Sequence, residues 1–139
     1  MAEMTLRVIT PDKILIDETV TSVRLPGIDG FMGVLPRHAH MIAALDFGPL
    51  DYKDSKGVAH AVFVGGGFAE VSDNTVRVVA PVGETAGTID VARAEEAEKR
   101  ARERLDSGIS AGIADVDTLR AQLALRRAMM RIRTKRRSL

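Results

Sequence analysis

The sequence predicts an all-β N-terminal sandwich followed by an α-helical hairpin, two parts of different kind in one chain. Three observations predict it. All five prolines, all five aromatic residues and ten of the twelve glycines lie before residue 88. Up to that point apolar residues alternate in short runs between turn residues; beyond it they recur at three- and four-residue steps. Charge divides at the same place: residues 1–87 hold 7 Lys/Arg and 11 Asp/Glu, and residues 88–139 hold 13 and 8. Residues 1–87 therefore read as an antiparallel β-sandwich, and 88–139 as a two-helix antiparallel hairpin.

Met4, Leu6 and Val8 fall on one face of the first strand. Pro11-Asp12-Lys13 turns the chain into a longer extended stretch, Ile14 to Leu25. Pro26-Gly27-Ile28-Asp29-Gly30 is the next break. Met41 to Leu45 reads as a buried strand ended by Gly48-Pro49. Asp54-Ser55-Lys56-Gly57 is a hairpin turn between Leu50–Lys53 and Val58–Val64. Ser72-Asp73-Asn74 is another, between Phe68–Val71 and Thr75–Ala80. At least eight short strands at this spacing favour a sandwich or barrel, and no helical period separates them as a parallel α/β sheet requires. A sandwich this small buries only about 60–65% of its unfolded surface, so an extended apolar face on it suits a permanent partner.

From Asp90 to Asp106 there is neither Pro nor Gly, and Val91, Ala94, Ala97, Ala101 and Leu105 draw one apolar stripe. Asp90 is placed as the N-cap. Glu95–Lys99, Glu96–Arg100 and Glu98–Arg102 are acid-before-base pairs at i,i+4. The run Ser107 to Gly112 is expected to end this helix. A second starts at Asp115 or Asp117 and runs to about Arg133, adding Leu119, Leu123 and Met130 to the apolar surface. Helices joined mainly through alanine bury little, so the hairpin depends on the sandwich, a ligand or a partner. It is the part expected to change shape.

Composition excludes most chemistry. Of 139 residues, 45% are apolar and 28% charged, for a net charge of +1 that gives no general grip on nucleic acid. No run of 18 apolar residues predicts a membrane span, and Met-Ala-Glu-Met-Thr does not open as a signal peptide does. There is no Cys, hence no disulfide, thiolate metal site or Cys nucleophile. Gly27, Gly30, Gly33 and the triplet Gly65-Gly66-Gly67 lack the Lys-Ser or Lys-Thr of a phosphate loop and read as turns. His38-x-His40 has too few companions for a metal site. No nucleophile elbow and no other catalytic constellation is present.

Arginine is more informative. Arg93, Arg100 and Arg104 share one side of the first helix, and Arg120, Arg127 and Arg131 one side of the second. Two such rows either cover alanine with their stems or clamp a polyphosphate between the helices. From Arg120 onward there are eight basic residues and no acid. That tail suits an acidic protein surface, and as an alternative function it suits nucleic acid or an anionic membrane surface. It carries no aromatic residue for base stacking.

Three segments resemble the epsilon subunit of bacterial F-type rotary ATP synthases. Gly30-Phe31-Met32-Gly33-Val34-Leu35-Pro36-Arg37-His38-Ala39 is similar to the family's Gly-x-x-Gly-(Ile/Val)-(Leu/Tyr)-Pro-x-His-Ala segment. Gly66-Gly67-Phe68-Ala69-Glu70-Val71 with Asn74-Thr75-Val76-Arg77-Val78 resembles its Gly-Gly-x-x-Glu-Val…Asn-x-Val-x-Val strand pair. Ile89-Asp90-Val91-Ala92-Arg93-Ala94 matches the Ile/Leu-Asp-x-x-Arg-Ala motif that opens the first C-terminal helix. The three stand in the family's order at its distances.

The resemblance implies a non-catalytic central-stalk subunit that couples proton flow to ATP synthesis. Its sandwich would bind the gamma subunit and the c-subunit ring, with Phe31 and His38 on the ring-facing loop. Many members carry an acid where Phe31 stands, which points to an apolar contact here. The hairpin would be a regulatory arm that folds on the sandwich or extends to the catalytic alpha/beta head and inhibits hydrolysis. In members that bind ATP, the ligand would meet Glu84, Asp90, Arg93, Ala94, Arg100, Arg127 and Arg131. No cofactor is required beyond such regulatory ATP, no nucleic acid is implied, and membrane contact runs through the complex. The location implied is the cytoplasmic face of the bacterial plasma membrane, peripherally.

Overall fold

A computed structural model describes residues 2–110 and 116–137. Nine strands come first: β1 Met4–Ile9, β2 Ile14–Gly27, β3 Gly30–Val34, β4 Met41–Ala44, β5 Phe47–Asp54, β6 Ala59–Gly65, β7 Phe68–Ser72, β8 Thr75–Val79 and β9 Gly83–Thr85. A 3₁₀ turn at Ala86–Thr88 leads into α1, Val91–Ser110, and then α2, Val116–Arg137.

The strands follow one another in the order β4-β7-β8-β1-β2-β5-β6-β9, with β3 also paired to β2. Val71 and Val78 belong to one end of that order and Leu50 and Val64 to the other, yet all four share one core. The sheet therefore folds over on itself. Strand β2 makes this possible by its 14 residues. Its first half pairs with β1, and its second half with β5 and β3. Met4, Leu6 and Val8 all point into the core, as the alternation of β1 requires.

Three local expectations need correction. The sheet is not wholly antiparallel, because β1 pairs with β8 in parallel, Thr5 opposite Thr75. Gly48-Pro49 does not end a strand but lies inside β5, Pro49 opposite Phe63. Pairing of β5 with β2 begins only at Asp51, so the missing Pro49 N–H breaks no bond on that side. Met41 to Ala44 is an edge strand with Ile42 exposed, since only β7 flanks it.

The Gly65-Gly66-Gly67 triplet turns the chain where bulk cannot fit. Gly67 has φ +94°, and a Cβ on it would stand 2.0 Å from the Val79 carbonyl oxygen. Asp73 and Asn74, at φ 50° and 57°, give β7–β8 the turn that matches strand twist.

At the β5–β6 hairpin the Asp54 carboxylate accepts the N–H groups of Lys56 and Val58 and lies 2.9 Å from His60 Nε2. The His60 contact, followed by the Val58 N–H, holds the Asp54 carboxyl below its ordinary range. Tyr52 stacks on His60 at 4.9 Å. Burial, then the charge of Glu18, push its phenol up to about 12. The folded state thus favours neutral Tyr52, which stabilises fully below the unfolded value near 10 and is lost as pH rises through about 12. Denaturant midpoints should fall across that window, and Tyr52→Phe should flatten the fall. Tyr52 is the chain's single tyrosine, so its phenolate absorbance reports the titration directly.

Both helices are longer than the sequence suggests. Helix α1 continues through Gly108 to Ser110, because one helical glycine costs only about 1 kcal/mol. The expected stop at Ala111-Gly112 and start at Asp115 lie outside the described residues. Asp117 stands inside α2, which reaches Arg137 rather than Arg133. Asp90 caps α1 as expected, its Oδ1 accepting the Arg93 N–H at 3.1 Å. Of the three helix pairs, Glu98–Arg102 closes to 3.0 Å and Glu96–Arg100 to 4.0 Å.

Leu119 and Leu123 are exposed, contrary to expectation. Among the described residues of α2, Ala121, Ala128, Ile132 and Thr134 are buried. Alanines at heptad spacing on both helices (Ala94 with Ala101, Ala121 with Ala128) let the backbones approach closely. Helix α2 lies on β5 and β6, and α1 lies on α2. The helix that comes last in sequence is therefore the inner layer.

Candidate functional site

Phe63 fixes where α2 sits. Its neighbours Val62 and Val64 enter the sandwich core, so alternation sends Phe63 to the opposite face, where it is fully buried. The Arg131 guanidinium lies 4.8 Å above its ring, and Arg131 Nε donates to Glu84 Oε1 at 3.1 Å. Glu84 comes from β9, opposite Phe63 on β6. One arginine thus ties α2 to a ring and to a carboxylate on neighbouring strands.

Beside this contact a cavity of about 380 Å³ opens between β9, the 3₁₀ turn and the two helices. Its lining includes Glu84, Asp90, Arg93, Ala94, Arg100 and Arg131. Six of the seven residues named from sequence for a nucleotide are therefore brought together. Arg127 is not among them: its guanidinium lies 5.8 Å from the Phe47 ring centroid. Thr88 and Ala97 also line the cavity and were missed. Ala97 sits one turn beyond Arg93 and Ala94 in the apolar stripe, so helical spacing could have found it. The Thr88 hydroxyl is engaged locally, donating to the Thr85 carbonyl at 2.9 Å.

The charges in the cavity differ in availability. Arg131 is held by Glu84, and Asp90 Oδ1 by the start of α1. Arg100 has only the 4.0 Å approach of a largely exposed Glu96, and the Arg93 guanidinium has no ion pair among the described residues. An open cavity with two such guanidinium groups, seven residues or about two turns apart on α1, suits an anion with several oxygens. Among the described residues, no three His, Asp or Glu side chains cluster as a metal site.

Phe31 and His38 belong to a different surface. Phe31 on β3 is 44% exposed, with the Arg24 guanidinium 3.9 Å from its ring centroid. With Ile28 and Ile42, also exposed, it lines a shallow groove between β3 and β4. His38 lies outside that groove, its Nδ1 2.8 Å from the Ala39 carbonyl oxygen. The structure does not join the two residues into one site.

Comparison with known proteins follows the same division of the chain. Residues 3–86 match the family model described as the ATP synthase delta/epsilon chain beta-sandwich domain. Residues 88–136 match that of the delta/epsilon chain long alpha-helix domain. An ATP synthase epsilon chain of Nitratidesulfovibrio vulgaris is 48% identical over 131 residues, covering 94% of this chain and 93% of the relative. One from Symbiobacterium thermophilum is 47% identical over 134 residues, covering 96% and 93%. Among solved structures, a chain of the Euglena gracilis mitochondrial ATP synthase superposes with a TM-score of 0.80 at 23% identity. That match covers 93% of this chain and 79% of the other, and it bears on the fold. None of these matches supports a separate nucleic-acid or membrane-surface binder, and no described helix is long and apolar enough to cross a membrane. The chain belongs to the delta/epsilon family of ATP synthase subunits, as a non-catalytic epsilon chain.

Proposed function

We propose that this epsilon chain works in the rotor at the cytoplasmic face of a bacterial plasma membrane. Its sandwich binds the gamma subunit and rests on the c-subunit ring. Its helices form an arm that nucleotide holds folded and that, when extended, opposes hydrolysis at the alpha/beta head. The sandwich suits a torque-bearing connector: one continuous sheet closes on a single core, and large apolar side chains remain outside, among them Ile28, Phe31, Ile42 and Phe68. Such side chains suit a lasting apolar contact.

The nucleotide reading is carried by one observation. Glu84, Asp90, Arg93, Ala94, Arg100 and Arg131 converge on one cavity from β9, the linker and both helices. In it Arg93 and Arg100 take the phosphates, while Glu84 and the free oxygen of Asp90 accept from the adenine amine or the ribose. A ligand held from both helices and β9 ties the arm to the sandwich. Binding of L then stabilises the folded arm by RT ln(1 + [L]/Kd), about 2.7 kcal/mol at a hundredfold excess over Kd.

Calorimetric titration of the isolated chain with ATP tests this. Binding is expected, with a rise in the melting temperature of the helices. Arg93→Ala should weaken it by roughly 10- to 100-fold, the worth of a charged hydrogen bond. Arg127→Ala should weaken it far less, because Arg127 lies over Phe47 and outside the cavity. No heat at millimolar ATP would remove the ligand and leave the rotor assignment intact.

A further inference from the structure

Helix α2 docks over the buried Phe63 ring, and it also reaches the sandwich through charge. Helix α1 has no ion pair to the sandwich among the described residues. Three arginines of α2 reach three carboxylates of the sandwich. Arg126 pairs with Asp46, just before β5. Arg131 pairs with Glu84 on β9 at 3.1 Å. Arg137 pairs with Asp51 on β5, its Nε donating to Oδ1 at 2.9 Å and its Nη2 2.8 Å from Oδ2. These pairs span α2 from its middle to its last described residue. Each joins the basic part of the chain to the acidic part.

We propose that Asp46, Asp51 and Glu84 form an acidic latch for α2, which adds to the hold on the folded arm and weakens as salt screens the pairs. The side chains in the pairs are about 23–50% exposed, so they are open to screening yet not fully solvated. The pairs act together because one rigid helix carries all three cations. The arm that leaves also carries away its own counter-charge: release uncovers Arg126, Arg131 and Arg137 at once. Docked and extended arms thus present different cation surfaces, set by three carboxylates outside the arm.

The latch rests on the reading of residues 88–139 as a movable arm. Two of its pairs, those of Asp46 and Asp51, lie outside the nucleotide cavity, so it can be tested without ATP. The chain contains no cysteine, so Ser55→Cys with Gln122→Cys takes a spin-label pair without background. The double-labelled full chain is measured at low and high salt, beside the same chain carrying Asp46→Asn and Asp51→Asn.

At low salt the parent should show one docked distance. Each lost pair should lower the docked-to-released ratio about two- to fivefold, and the two together about four- to twenty-fivefold. Added salt should lower the parent's docked-to-released ratio and move the variant much less. Should the sandwich variant fail to fold, Arg126→Gln with Arg137→Gln removes the same pairs from the arm side and should behave alike. A variant that stays docked like the parent, or that keeps the parent's full salt dependence, overturns the latch. The nucleotide reading is judged separately, by titration of the parent chain with its latch residues intact.

Discussion

Phe63→Ala is expected to free α2 while leaving the sandwich folded. The ring is fully buried, yet it is not part of the sandwich core that Val62 and Val64 enter. It is covered by α2 and topped by Arg131 at 4.8 Å. Truncating a buried phenylalanine costs about 3–5 kcal/mol. Here most of that loss falls on docking, because the atoms facing the ring belong to the helix. The cation–ring contact disappears with it, and the Arg131–Glu84 pair loses its backing. Hydrogen exchange separates the outcomes. Amides of α2 should lose protection by a factor of about a hundred or more, while β1 and β8 keep theirs. Equal loss in both would mean that Phe63 supports the sandwich itself and that the arm is not a separable layer.

The division of the chain was legible because two physical signals change at one place. Alternation needs residues two apart on one face, and helices need three or four, so the change near Gly87 marks a change of structure. Turn chemistry was equally legible at Asp54–Gly57 and Asp73-Asn74, where side-chain caps or positive φ leave few choices. Pro49 was misread because a proline reads as a break until its neighbours in the sheet are known. It stands where β5 has not yet begun to pair with β2.

The helices misled for a related reason. Leu119 and Leu123 are large and apolar, yet alanine lines the contact between the helices, and size alone does not say which face packs. The cavity was largely legible through the Ile-Asp-x-x-Arg-Ala segment, which sets Asp90, Arg93 and Ala94 on the first turn of α1. Arg127 was grouped with Arg131 because they are one turn apart. The structure separates them by giving each its own ring, Phe47 for one and Phe63 for the other. Those rings come from β5 and β6, and no spacing within α2 could have announced them. The carboxylates of the latch were hidden in the same way. Asp46, Asp51 and Glu84 are scattered in sequence and meet α2 only after the sheet has folded.

The central claim is that residues 1–87 carry the rotor's mechanical contacts and residues 88–139 its control. The most direct measurement is made on the assembled ATP synthase with the epsilon chain ended after Gly87. Loss of α2 bares Phe63, whose exposure costs the shortened chain about 2–3 kcal/mol, so Phe63→Thr is included to keep the outer face of β6 soluble. The core of the sandwich lies on the other face and is complete without the arm. The shortened chain should therefore still assemble, and hydrolysis should remain coupled to proton pumping. The hydrolysis rate should rise above that of the full-length enzyme, most at low ATP, where the arm of the intact chain is least held by nucleotide. A folded sandwich that fails to enter the complex, or hydrolysis unchanged at every ATP concentration, would contradict this account.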